Sequence, residues 1–381
     1  MRPVSLAAIS SILLLWICIL SGPQLWAQDV TPWSGFGIEA NAIAGKVYKH
    51  EAKFTLPIPA LTTGFDVNMM LHTYGKQPWE QRWRYPTIGF AVSYINYGID
   101  SIYGQCVGFA PNITIPLVSG KQLEWTLRLG DGIGYVTKRY RRTSPTDTIN
   151  VAIGSHINDF GMFMTDVRYH VNRHWDLQAG ANITHISNAS FEKPNLGINM
   201  IGAHLGVRYF PVTSRPPHIA RTLSPLTNRW LLQARVSMAY ISSFTPGGPL
   251  YPVYLATGYA SKRWRSKMKL LVGADYAYYQ SIYSWLRNNE LYAGHEKEHA
   301  YKTAVFAGNE FLLGRLGIVL QAGYYLQPSA IKTDAVYEKI GAHYYLVQRE
   351  HGPLKEFFLS AFLKTHGTVA ELGEAGVGFG F

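Results

Sequence analysis

Gly373-Glu374-Ala375-Gly376-Val377-Gly378-Phe379-Gly380-Phe381 closes the chain with unbroken alternation. Successive side chains of a β-strand point to opposite faces. Gly373, Ala375, Val377, Phe379 and Phe381 therefore share one face, and Glu374, Gly376, Gly378 and Gly380 the other. One face suits an apolar medium and the other does not. Working back from this stretch, the same alternation predicts strands near 33–44, 62–74, 86–98, 103–116, 122–138, 158–171, 174–188 and 197–210. After a Pro-rich connection from Pro211 to Asn228 it predicts others near 229–242, 250–264, 267–283, 301–314, 316–327, 337–348, 355–366 and 370–381.

Residues 1–27 read as an export signal: Arg2, an apolar run from Leu6 to Leu20, the breakers Gly22 and Pro23, and small Ala27 before Gln28. Cys18 lies within it, so the mature chain, 28–381, keeps Cys106 alone and no intramolecular disulfide is expected. That remainder has no apolar run of about eighteen residues able to cross a membrane as a helix. It is instead rich in Tyr (25), Trp (10) and Gly (36), with a mean hydropathy near zero. An exported chain of this kind fits an all-β, antiparallel transmembrane β-barrel of fourteen to sixteen strands, with alternate residues facing lipid and lumen and aromatics at the interfaces. A secreted β-sandwich is the other all-β reading. The alternating last strand ending on Phe381 favours the barrel, because it resembles the targeting signal by which bacterial outer-membrane barrels reach the barrel-assembly machinery.

The net charge of +11 does not point to nucleic acid in an exported barrel. The phosphates of lipopolysaccharide are the more natural counter-charge, and much of the excess can be ordinary solvated Lys and Arg.

Chemistry concentrates at the end of one strand. From Trp175, the odd positions run Trp175, Leu177, Ala179, Ala181, Ile183, His185, Ser187, and the even ones Asp176, Gln178, Gly180, Asn182, Thr184. A potential base and a potential nucleophile, two residues apart, thus share the apolar face. His185-Ile186-Ser187-Asn188-Ala189, followed by Pro194-Asn195-Leu196-Gly197-Ile198-Asn199, resembles the lipid A 3-O-deacylases of the PagL type. That family carries a histidine, any residue, then Ser-Asn, with Pro-Asn-x-Gly a few residues on. The resemblance covers roughly residues 174–210.

It implies a Gram-negative outer-membrane barrel whose Ser-His-Glu triad, on the outside of the wall, hydrolyses an ester-linked acyl chain of lipid A without a cofactor. Ser187 would be the nucleophile and His185 the general base, with Asn188 and Asn195 as oxyanion candidates. Where the family has its glutamate, this chain has Asn199, which falls with Ile201, Ala203, Leu205, Val207 and Tyr209 on the lipid side. Matching the apolar registers of the two preceding strands sets Asp159 opposite Ser187 and Gly161 opposite His185, so Asp159 is an alternative acid. Glu192, in the following loop, is a further one. With the amino terminus in the periplasm, the pair lies at the outer leaflet.

Lys138, Arg139, Arg141 and Arg142 cluster where a strand should reach the cell surface, and can hold substrate phosphate. His295-Glu296-Lys297-Glu298-His299 satisfies the zinc-protease spacing but sits in a charged connection, where a solvated loop is expected and no metal. Residues 28–210 form the deacylase-like part and 229–381 additional strands, with one barrel or two left open. Two other functions fit the same pattern: a pore or transporter, and an inactive barrel that binds lipopolysaccharide.

Overall fold

The computed structural model describes residues 33–50, 53–143, 146–212, 216–223, 228–242, 245–265, 267–327, 330–331, 333–367 and 369–381. The expected export signal, 1–27, lies outside them. Among these residues the chain forms sixteen strands, all paired antiparallel with their neighbours. The all-β barrel architecture and the count of sixteen agree with the alternation in the sequence. The strands close as two rings of eight rather than as one ring.

The first ring runs β1 (Phe36–Tyr48), β2 (Thr62–His72), β3 (Thr87–Asn96), β4 (Gln105–Ser119), β5 (Leu123–Val136), β6 (Ile157–His170), β7 (Trp175–Ser187) and β8 (Ile198–Tyr209). It is closed by β1 against β8, with Ile38 opposite Tyr209 and Tyr48 opposite Asn199. The second runs β9 (Trp230–Ser242), β10 (Leu250–Arg265), β11 (Met268–Tyr279), β12 (Tyr301–Leu313), β13 (Leu316–Tyr325), β14 (Val336–Gln348), β15 (Glu356–His366) and β16 (Val369–Gly380). Here β16, which contains most of the alternating terminal stretch, pairs with β9. The long connection between β2 and β3 carries a short helix, α1 (Pro78–Arg82), and the strand expected over 267–283 ends at Tyr279, where helix α2 (Gln280–Asn288) begins.

Eight strands enclose a space that side chains can fill, and both interiors are filled with ion pairs. In the first ring the fully buried Arg128 donates to Glu39 at 2.8 Å and also contacts Asp66, while Arg168 reaches Glu39 and His204 meets Asp166 at 2.6 Å. In the second, Lys269 pairs with Glu356 at 2.7 Å, Lys339 with Asp275 at 2.9 Å, Arg235 with Glu374 at 3.0 Å and Lys302 with Glu371 at 2.8 Å. Charges taken from water remain ionised inside a protein only when partnered in this way. The wide lumen that a single ring of fourteen to sixteen strands would offer a pore is therefore absent from either ring.

The outward residues are apolar: Leu177, Ile183, Leu205 and Val207 in the first ring and Leu232, Val236, Leu270 and Leu320 in the second are exposed. Trp175 and Tyr209 pack together at 4.7 Å at one rim of the first ring, as interfacial aromatics do. At its other rim the interior is stoppered by an apolar cluster. Phe54, Leu56, Tyr97, Tyr103, Ala152 and Ile153 from the connecting loops meet the inward-facing Ile186 and Ile198. That cluster anchors the ends of β7 and β8, where the candidate site lies.

Candidate active site

The site is set by strand register. On β7 the odd residues face outward and the even ones inward; β6 pairs with it so that Asp159 stands opposite Ser187 and Gly161 opposite His185, as the apolar registers require. On the other side, His185 is opposite Asn199 of β8. Ser187, His185 and Asn199 are thus brought together on the outer wall.

His185 Nε2 lies 2.9 Å from Ser187 Oγ, and its Nδ1 lies 2.6 Å from Asn199 Oδ1. An amide oxygen only accepts, so Nδ1 carries the hydrogen, and Nε2 presents its lone pair to the serine hydroxyl. That is the tautomer a general base needs. The acceptor on Nδ1 is Asn199, while the Asp159 carboxyl lies within hydrogen-bonding reach of Asp131 on β5.

The Gly197 end of the connection from β7 to β8 packs against the pair. Ala189 and Ser190 adopt positive φ, and Gly197 sits at φ +78°, a conformation glycine takes without strain. A Cβ on Gly197 would lie 3.0 Å from His185 Cε1 and 3.5 Å from Ser187 Cβ. The turn is held by Gly197 N–H donating to Ala152 O at 3.0 Å. His50 Nε2–H also donates to Leu196 O at 2.8 Å. Ser187 is only 2 % exposed beneath it, and His185 is half-buried.

The two asparagines differ. Asn188 is committed: its N–H donates to Asn195 Oδ1 at 2.9 Å, and its Nδ2 to Ser155 Oγ at 2.8 Å, which in turn donates to Asn158. Asn195 has its oxygen engaged but its buried Nδ2 has no hydrogen-bond partner. A buried amide donor without a partner costs free energy unless something is meant to occupy it.

Lys138, Arg139, Arg141 and Arg142 lie in the connection between β5 and β6, at the same end of the ring. Arg139 donates to Gly154 O at 3.1 Å, Arg141 forms a bridge with Asp147, and Lys138, Arg141 and Arg142 are exposed. Residues 296–299 of the zinc-like run form a single 3-10 turn; His295 pairs with Glu298 at 3.1 Å, and His299 stacks on Tyr292 at 3.8 Å. No group of metal-ligating side chains occurs among the described residues. The sequence reading missed His50, Ser155 and Asp131. Alternation from Leu129 to Ile133 signalled the outward position of Asp131, whereas His50 and Ser155 lie in loops with no periodicity to reveal them.

Residues 63–208 match the family model described as lipid A 3-O-deacylase (PagL), and residues 228–381 the one described as acyloxyacyl hydrolase, C-terminal domain. The chain belongs to this deacylase family. The first model spans nearly all of β2 to β8 and the second β9 to β16, and the protein is an outer-membrane β-barrel protein. Among solved structures, the outer membrane enzyme PagL is similar at 15 % identity over 44 % of this chain and 97 % of its own, with a TM-score of 0.32. Neisserial surface protein A is similar at 16 % identity over 46 % of this chain and 97 % of its own, also with a TM-score of 0.32. No match is found among curated protein sequences.

Proposed function

We propose that this protein hydrolyses an ester-linked acyl chain of lipid A at the outer leaflet of the outer membrane, with Ser187 as nucleophile and His185 as general base. The reading rests on one observation: the hydrogen-bonded run Ser187–His185–Asn199 stands on the face of the barrel that meets lipid. A soluble substrate gives no reason for that placement. An acyl ester already in the membrane does, since it reaches the wall without being extracted.

Ser187 Oγ attacks the ester carbonyl carbon as His185 Nε2 takes its proton. The imidazolium so formed is steadied through Nδ1–H by the Asn199 amide oxygen. The oxyanion is met by the free Nδ2 of Asn195, which Asn188 holds in place by donating to its oxygen. His185 returns the proton to the departing sugar hydroxyl, then takes one from water, which attacks the acyl-serine and releases a fatty acid. Lys138, Arg139, Arg141 and Arg142 would hold the phosphates of the headgroup. On this reading residues 1–27 direct export, the barrel-assembly machinery inserts the chain, 28–210 carries the chemistry and 229–381 adds strands.

Mass spectrometry of lipid A from cells with and without the protein tests this. Expression of the wild type removes one acyl chain; Ser187→Ala and His185→Ala each abolish the change while the protein keeps the heat-dependent gel shift of a folded barrel. Unaltered lipid A in the presence of folded wild-type protein, across several lipid A structures, rules the activity out.

A further inference from the structure

The two rims of the second ring differ in the length of their connections and in their charge. At one, residues 280–300 and 326–335 connect the strands; at the other, β12 passes to β13 through Gly314 and Arg315 alone, and β10 to β11 almost as directly. That short-turn rim carries Lys262, Arg263, Arg265, Arg315 and Arg349, and Glu350 is the exposed carboxylate among its described residues. Arg229 and Arg263 both pair with Glu350, at 3.7 and 3.5 Å. The acid of the rim is thereby engaged, and a basic excess is left.

That excess is not spread evenly. On β10, Lys262 stands opposite the exposed Trp230 of β9 and the exposed Leu270 of β11, on the outer face. Strict alternation would then set Arg265 inside the ring with Arg263. A β-bulge between Arg263 and Arg265 prevents this: Arg263 pairs with the buried Lys269, but Arg265 pairs with Met268 and is exposed. Bulges re-aim side chains in this way. Both outward cations lie on indoles. Lys262 Nζ is 5.4 Å from the centre of the Trp230 ring, and the Arg265 guanidinium is 4.7 Å from that of Trp264. Trp264 is itself fixed by donating from Nε1 to Asn309 Oδ1 at 3.0 Å. No carboxylate pairs with Lys262 or Arg265 among the described residues, and the wall beside them is the exposed Leu232 and Leu270.

We propose that Trp230, Lys262, Trp264 and Arg265 form a binding site for the phosphate of an anionic phospholipid in the periplasmic leaflet of the outer membrane. Its occupancy does not depend on whether Ser187 hydrolyses lipid. The leaflet follows from the turns, since bacterial barrels keep the short ones on the periplasmic side. The ligand class follows from the surroundings. Indoles on an outward face mark the depth of lipid headgroups, two cations without a counter-ion call for an anion there, and the leucines beside them call for hydrocarbon. A soluble anion meets the second demand alone; a lipid of net negative charge meets all three. An arginine stacked on an indole keeps the edge of its guanidinium free to give two parallel hydrogen bonds to phosphate oxygens.

The test uses the full-length protein in detergent, titrated with phosphatidylglycerol or with phosphatidylethanolamine of the same acyl chains and followed by native mass spectrometry. The wild type should hold phosphatidylglycerol roughly tenfold more tightly, and the preference should shrink as salt rises from about 0.1 to about 1 M. Lys262→Gln combined with Arg265→Gln should weaken phosphatidylglycerol binding roughly thirtyfold, while the protein keeps the heat-dependent gel shift of a folded barrel. Trp264→Leu, which leaves both charges in place, should weaken it as well. Arg315→Gln, on the same rim but between β12 and β13, should leave it unchanged. Equal binding of the two lipids by the wild type at low salt, a result that needs no variant to fold, overturns the proposal. So does an equal loss in Arg315→Gln, which would make the attraction a property of the whole rim. Displacement of the lipid by millimolar inorganic phosphate would assign the site to a soluble anion and overturn the proposal too.

Discussion

Replacing Asn199 by aspartate puts a carboxylate where the amide oxygen lies 2.6 Å from His185 Nδ1, with almost no change of shape. When His185 takes the serine proton, a carboxylate attracts the imidazolium by about 4 kcal/mol, for charge centres about 4 Å apart and an effective dielectric constant of about 20. Against this stands the cost of a carboxylate on a lipid-facing strand close to the interface, about 1 kcal/mol at most. The difference is about 3 kcal/mol, or roughly a hundredfold gain in rate. In serine proteases the reverse change costs about 10⁴, because the amide there imposes the wrong tautomer. Here the amide already presents oxygen to Nδ1, so that penalty is not in force and its removal cannot be recovered. Asn199→Leu, by contrast, removes the hydrogen bond to a group that becomes charged, worth about 1.5–3 kcal/mol, and should slow hydrolysis roughly tenfold to a hundredfold. The assay is the initial rate of acyl release from purified lipid A in mixed micelles. A gain of a thousandfold or more in Asn199→Asp would show that the amide is turned the other way; an unaffected Asn199→Leu would show that position 199 does not orient His185.

Asn195→Ala should lower kcat by roughly a hundredfold to a thousandfold, the loss typical of one oxyanion donor, with the fold intact by heat-dependent gel mobility; an unchanged kcat would return that role to other donors. Gly197→Ala, forced into φ +78° with its methyl 3.0 Å from His185 Cε1, should destabilise the turn by about 1–2 kcal/mol and reduce hydrolysis, read as a lower unfolding midpoint and a slower rate together. His295→Ala combined with His299→Ala should leave hydrolysis as it is, and chelators should not inhibit; activity lost on zinc removal and restored by zinc would make the run from His295 to His299 functional after all.

Much of this was readable from alternation. Strand ends fall within a few residues of those predicted, and matching apolar faces placed Asp159 against Ser187 in the register found, because a one-residue slip would turn a whole strand inside out against lipid. Ring closure was not readable. Nothing local in β8 states that its second neighbour is β1 rather than β9, and the ion pairs that fill the interiors, such as Arg128 with Glu39, join residues far apart in sequence. Helix α2 was hidden differently. The alternation of Tyr276 and Tyr278 runs on in period two through Gln280 to Ile282, masking the helical spacing of Ile282 and Leu286, both buried on one side of α2. At the site, the sequence named the reactive side chains but not their division of labour: only the geometry separates the committed amide of Asn188 from the free one of Asn195.

A reactive pair on the outside of the wall also fixes the units in which its kinetics must be written. On the proposed function, substrate arrives by lateral diffusion in the leaflet, so the governing concentration is the mole fraction of acylated lipid around the barrel and not its amount per volume of medium. Diluting the membrane with inert lipid should slow turnover even when enzyme and total substrate are constant. Adding more aqueous buffer should not.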